Sequence, residues 1–227
     1  MPFQDLPSRL AAVREVIERA RVRGGHQQTV TIVAVTKTYG PEAPLAALDA
    51  GLQDVGENRV QEALTKMPLV TRPVRWHMIG HLQRNKVKQL DGFHLVHSMD
   101  SARLADALAA HGAARGRPMD VLLQVNVSGE GTKGGYVPED VAAEAVRLRS
   151  LPGIVLHGVM TMAPLEADMA ALRRVFAGAR RCREQLQAAG HPATELSMGM
   201  SGDYEVAVEE GATLVRLGTV LFGARAA

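Results

Sequence analysis

Lys37 follows directly on a dense apolar and β-branched run, Thr29-Val30-Thr31-Ile32-Val33-Ala34-Val35-Thr36. An amine at the mouth of a buried strand is partly desolvated, which lowers its pKa from the ordinary value of about 10.4. Such an amine is free to condense with an aldehyde. The plainer reading is a lysine that ends a strand and reaches into solvent. Alone, Lys37 decides nothing.

A second region, Ser197-Met198-Gly199-Met200-Ser201-Gly202-Asp203, is built of small residues and runs into the helix-compatible Tyr204-Glu205-Val206-Ala207-Val208. Small residues let backbone N–H groups approach a phosphate, Ser201 adds a hydroxyl, and the helix N-terminus adds partial positive charge. Capping of that helix by Ser201 or Asp203 accounts for the same residues without a ligand. Gly218-Thr219, immediately after Leu214-Val215-Arg216-Leu217, is a second loop of the same kind. Arg216 itself lies inside an apolar strand, where a guanidinium needs an acceptor. A ligand supplies one, and so does a structural partner such as Glu57.

The elements that must carry these groups follow from periodicity. Strand-like cores begin near Thr29, Asp54, Arg75, Phe93, Met119, Ile154, Thr194 and Thr213, which makes eight. Helix-compatible segments separate them, among them Ser101 to Ala114, Pro138 to Ser150, and Glu166 to Ala189, the last stopped by Gly190 and Pro192. An amphipathic helix from about Pro7 to Arg23 precedes the first strand, with Leu10, Val13, Ile17 and Ala20 on one face. Eight strand–helix units without a linker predict a single (β/α)8 TIM barrel domain over residues 1–227, with an extra N-terminal helix. A doubly wound α/β sheet is the alternative. In such barrels chemistry sits where strands pass into loops, and phosphates sit at the loops after strands seven and eight. Lys37, Ser201, Gly218 and Thr219 occupy those positions.

The chain of 227 residues is 46% hydrophobic and 22% charged, the balance of an ordinary globular domain. Its formal charge of +2 is spread along the sequence, which does not favour nucleic acid as a partner. Cys182 is the single cysteine, which excludes an intrachain disulfide framework and a multi-cysteine zinc site and fits a reducing, cytoplasmic setting. The N-terminus has no basic start followed by an apolar stretch, so no secretion signal is expected. The longest uncharged run, Ser150 to Leu165, is broken by prolines and glycines and is shorter than the roughly 18 residues of a spanning helix. No membrane segment is expected.

Rival motifs are weaker. Gly129-Glu130-Gly131-Thr132-Lys133-Gly134 matches G-x-G-x-x-G, but a helix begins only near Pro138, and Ile154 to Met162 lacks the acidic residue a ribose requires. Lys133 remains an auxiliary ligand contact or an exposed lysine of a glycine-rich loop. Gly199 to Asp203 lacks the final glycine of a nucleophile elbow, and no histidine follows Ser201. His77 and His81 lie on a strand and its turn, where four-residue spacing gives no shared face for a metal.

An amine at one side of a mouth, phosphate donors at the other and an arginine between them suit one ligand, pyridoxal 5′-phosphate (PLP). The stretches Val33-Ala34-Val35-Thr36-Lys37-Thr38, Gly56-Glu57-Asn58-Arg59-Val60-Gln61-Glu62 and Trp76-His77-Met78-Ile79-Gly80-His81-Leu82-Gln83-Arg84-Asn85-Lys86 closely resemble the pyridoxal phosphate homeostasis protein family. Gln124 to Val127 through Lys133-Gly134, Gly158 to Met162, Ser197 to Asp203 and Val215 to Gly223 continue the resemblance over nearly the whole chain. Two departures, Arg59 within the Gly-Glu-Asn motif and Met78 where many members have phenylalanine, leave the anchor untouched.

The resemblance implies a barrel similar to the N-terminal domain of alanine racemase, with PLP held as an internal aldimine on Lys37. It assigns Ser201, Gly218 and Thr219 to the phosphate and Arg216 to the pyridine nitrogen, and places Asn58 and His77 in motifs lining the same mouth. It further implies intracellular PLP homeostasis, with delivery to PLP-dependent apoenzymes, by a cytoplasmic chain expected to be a monomer. An arginine stays protonated and leaves the pyridine nitrogen unprotonated, which weakens the ring as an electron sink. The alternative is a PLP-dependent amino-acid racemase, which by the family analogy needs a further β domain carrying a tyrosine acid/base. The chain stops just beyond Phe222 and its tyrosines are Tyr39, Tyr136 and Tyr204, so binding and transfer are expected in place of efficient turnover. A third reading is a barrel that holds some other phosphorylated metabolite without a covalent bond.

Overall fold

The computed structural model describes residues 3–131 and 134–223. Eight short parallel strands alternate with helices. They are β1 (Thr31–Val35), β2 (Asp54–Glu57), β3 (Arg75–Met78), β4 (Leu95–Met99), β5 (Met119–Gln124), β6 (Ile154–Met160), β7 (Glu195–Ser197) and β8 (Leu214–Leu217). Each pairs with the next, and β8 pairs with β1 from Thr31 opposite Leu214 to Ala34 opposite Leu217. The sheet is therefore a closed barrel and not a doubly wound sheet. All eight strands begin within two residues of the positions that β-branched density marks in the sequence.

The helices are α1 (Leu6–Gly24), α2 (Glu42–Asp49), α3 (Val60–Lys66), α4 (Ala102–Ala114), α5 (Val141–Leu148), α6 (Met169–Ala188), α7 (Tyr204–Glu209) and α8 (Thr219–Phe222). One link departs from expectation. Between β3 and β4 the chain makes a 3-10 turn, Arg84–Gln89, with Val87 as its sole buried residue, because this polar stretch offers no apolar stripe to hold an α-helix on the sheet.

α1 buries Leu6, Leu10, Val13, Ile17 and Ala20 on one face, the stripe its sequence spacing requires. It packs against α7 and α8, the two shortest helices. α6 starts where Asp168 accepts the Ala171 N–H at 2.7 Å, and buries Leu172, Val175, Phe176, Ala179, Cys182 and Leu186. It ends ahead of Gly190, whose φ of +85° a glycine adopts without strain.

Strand alternation divides the apolar residues into two cores. One face of each strand joins the helices in the outer core, while Val33, Leu95, Leu122, Met160 and Leu214 pack together inside the barrel. Among the described residues no helix is long and apolar enough to cross a membrane.

Candidate functional site

The C-terminal ends of the strands open on a cavity of about 860 Å³. Lys37, Asn58, Ser201, Arg216, Gly218 and Thr219, six of the seven residues marked in the sequence, line it together. Val35, Ile79 and Met162 supply apolar wall.

Lys37 stands two residues beyond β1 and is half-buried. Its loop is held from below. The Thr36 N–H donates to the Gly56 carbonyl at 3.1 Å and the Thr36 hydroxyl donates to Glu57 at 2.5 Å. Lys66 Nζ, buried under the loop, donates to the Thr36 carbonyl at 2.9 Å and to Glu57 and Glu62 at 2.8 Å each. Burial pushes the Glu57 carboxyl up, against the pull of Lys66 and Thr36. Thr38 takes a φ of +69°, uncommon for a β-branched residue, and its N–H donates to Glu62.

Arg216 is the third residue of β8 and is 4% exposed. Glu57 is not its partner, because that carboxylate is engaged by Lys66 and Thr36. Instead Nη1 donates to the Ser197 carbonyl at 2.7 Å and to Ser197 Oγ at 2.6 Å, and Nη2 donates to the Thr161 carbonyl at 2.9 Å. All three acceptors are neutral. Burial pulls the guanidinium down to about 10, Asp203 opposing, and it remains a cation at neutral pH.

The loop after β7 faces the loop after β8. Val220 N–H donates to Ser201 Oγ at 3.3 Å, which ties the two together. Asp203 stands at the N-cap of α7, yet its carboxylate accepts from Met200 N–H and does not cap the helix. Among the described residues, no protein acceptor receives the backbone N–H of Ser201, Gly202, Gly218 or Thr219. A Cβ built on Gly202 meets nothing within 4 Å. Four donors and a hydroxyl thus gather at one open patch of the cavity, the donor set a phosphate takes.

His77 does not line the mouth. Residues two apart on a strand share a face, so His77 lies one layer below Ile79, inside the barrel. There it is 1% exposed, with Nε2 2.9 Å from Asp54 and Nδ1 2.8 Å from His97 Nε2. Lys133 lies outside the described residues.

Sequence reasoning takes His81 as a core or mouth histidine and misses Asp100, Gln124 and Tyr39; all four are on the cavity wall. His81 Nδ1 is 3.1 Å from Asp100 Oδ2, and Gln124 Nε2 donates to the Gly134 carbonyl at 2.7 Å. The same signal that marks Lys37, a polar residue just where a strand ends, would have found Asp100 and Gln124. Among the described residues no group of three His, Cys, Asp or Glu is placed to hold a metal ion.

A family model described as the alanine racemase N-terminal domain matches residues 9–226. Fold and cavity thus define a racemase-type barrel with its polar groups at the strand ends. The pyridoxal phosphate homeostasis protein of Pseudomonas aeruginosa is 44% identical over 210 residues, 92% of this chain and 90% of that protein. Its Aquifex aeolicus counterpart is 42% identical over 221 residues, 96% and 97% of the two chains. PipY of Synechococcus elongatus, solved with PLP bound, has a TM-score of 0.84 at 37% identity, covering 96% of this chain and 100% of its own. The chain belongs to the pyridoxal phosphate homeostasis protein family. Alanine racemase from Corynebacterium glutamicum, at 15% identity and a TM-score of 0.73, shares the fold.

Proposed function

We propose that this chain binds PLP at the cavity and serves intracellular PLP homeostasis, retaining the cofactor and handing it to PLP-dependent apoenzymes. One observation carries this. Lys37, the guanidinium of Arg216 and the unclaimed N–H groups of the two phosphate-type loops surround a single cavity. The donor set fits the cofactor's three functional groups.

Lys37 would hold the aldehyde carbon, Arg216 the ring nitrogen, and Ser201 with the N–H groups of Gly202, Gly218 and Thr219 the phosphate. Asn58 contributes a polar side chain to the same wall. When bound, PLP supplies an aldehyde that condenses reversibly with amines. Arg216, a cation held by three neutral oxygens, keeps its proton and offers hydrogen bonds to an acceptor. It therefore leaves the ring nitrogen unprotonated, which disfavours chemistry that needs a strong electron sink. Storage and transfer fit this arrangement better than turnover. The relatives named for PLP homeostasis, and PipY solved with PLP, support the reading.

In this reading the working unit is a cytoplasmic monomer, the single cysteine fitting a reducing setting. Borohydride reduction followed by peptide mass spectrometry is the test. A PLP adduct is expected on Lys37 and is absent in Lys37→Ala. A colourless protein with no fixed adduct on Lys37 would favour noncovalent capture of another phosphorylated metabolite. Rapid interconversion of amino-acid enantiomers by the pure protein would favour a racemase. Elution at twice the chain's mass would overturn the monomer.

A further inference from the structure

Below the cavity a continuous line of hydrogen bonds climbs through the barrel to Arg216. It starts at Asp54, the first residue of β2, whose carboxylate takes a two-pronged contact from Arg75, 2.7 Å at Nε and 2.5 Å at Nη2. Asp54 Oδ1 also lies 2.9 Å from His77 Nε2. His77 Nδ1 is 2.8 Å from His97 Nε2, and His97 Nδ1 is 2.8 Å from Ser197 Oγ. Ser197 Oγ accepts from Arg216 Nη1 at 2.6 Å. His77, His97 and Ser197 are all essentially without solvent contact.

The direction of this line follows from its ends. Arg216 can only donate, so Ser197 Oγ accepts there and its own proton must go elsewhere. His97 Nδ1 is the acceptor within reach, which places the single proton of a neutral His97 on Nε2. Burial drives His97 toward that neutral form. His97 then donates to His77 Nδ1, and His77 donates from Nε2 to Asp54. Every member is satisfied with both imidazoles neutral, one cation at the top and one carboxylate at the bottom. The reverse direction would require a second cation beside Arg75 and would leave the Ser197 proton without an acceptor.

We infer that Asp54, His77, His97 and Ser197 are positioning residues, a relay of fixed direction that locks the guanidinium of Arg216 where it meets the cofactor. This deepens the reading of the cavity as a PLP site and rests on it. The relay keeps Ser197 Oγ an acceptor toward Arg216, so the orientation of a group touching the ligand is set across four strands from the far end of the barrel. None of the four lines the cavity.

Nitrogen NMR of the cofactor-free protein at pH 7 tests the relay without any ligand, with His77 and His97 assigned through single Asn variants. Both rings are expected neutral with the proton on Nε2. A proton on Nδ1 of either ring overturns the inference. Ser197→Ala is the decisive variant, because it removes one oxygen from a packed site and leaves the backbone acceptors of Arg216 in place. Rotation of the Arg216 guanidinium is expected to become about tenfold faster, the scale of one charged hydrogen bond. In the loaded protein PLP release should quicken by about the same factor and the absorption band of the bound cofactor should shift. Ser197→Thr, which keeps the hydroxyl, restores all three. Unchanged rotation in Ser197→Ala overturns the positioning role. A wild type that takes up no PLP would remove the cavity reading, while rotation and protonation would still decide the relay.

Discussion

Lys66 Nζ donates to the Thr36 carbonyl at 2.9 Å, one residue before Lys37, while pairing with the fully buried Glu57. A lysine buried to 5% exposure thus holds the loop that carries Lys37. Among the described residues Glu57 Oε2 already lacks a hydrogen-bond partner. Lys66→Met would leave a buried carboxyl uncompensated, a loss on the order of 3–5 kcal/mol. Urea unfolding should show that loss, and the double variant Lys66→Met with Glu57→Gln should recover part of it. Equal midpoints for wild type and Lys66→Met would refute the argument.

Asp54 carries the pH dependence. Burial alone would raise its carboxyl, but His77 and Arg75 outweigh burial and hold it at about 2. The free carboxyl titrates near 3.9, so the folded form is depressed. Its stabilisation is therefore complete above about pH 4 and is lost as pH falls toward 2. Asp54→Asn should lower stability at pH 7 by about 2 kcal/mol and bring wild type and variant together near pH 2. A stability gap that widens on acidification would contradict this.

Two glycines that look alike in the sequence should respond oppositely to alanine. Gly158 in β6 has φ +156°, and a Cβ there would lie 1.9 Å from the Glu195 carbonyl oxygen of β7. Gly158→Ala must spread two paired strands, and a loss above about 3 kcal/mol or failure to fold is expected. Gly202→Ala meets open space and should leave the melting temperature unchanged within a few degrees. Its methyl group should instead show in slower or weaker PLP uptake.

Cys182 sits in the apolar face of α6, and burial pushes its thiol up to about 11. In the native protein at pH 8 it should resist thiol reagents and react only after unfolding. Labelling at the rate of a free cysteine would mean that α6 lifts from the barrel.

The strand count and the strand-end residues were legible because both follow from local chemistry. β-branched density marks each strand, and Lys37 and Gly218 stand where an apolar run stops. What lay hidden depends on facing. His77 reads as a mouth residue because its motif continues into the cavity at Ile79, yet one step of the strand pleat puts it a layer lower. Arg216 reads as needing an acceptor, from a ligand or from a partner such as Glu57 two strands away, but Lys66 on α3 claims Glu57 together with Glu62, a contact that no strand pattern reveals. The bond of His77 to Asp54 crosses between neighbouring strands, whereas that of His97 to Ser197 joins β4 to β7, which only closure of the barrel brings together.

The pairing of β1 with β8 makes a seam that joins the earliest strand to the latest. Lys37 hangs from one lip of that seam, and Gly218 and Thr219 from the other. A molecule gripped by both lips works as a clasp, and whatever loosens it weakens the ring at its most non-local join. Occupancy should accordingly be readable as heat resistance, rising with the logarithm of ligand concentration above Kd. Amide exchange in β1 and β8 should slow first when the clasp is fastened.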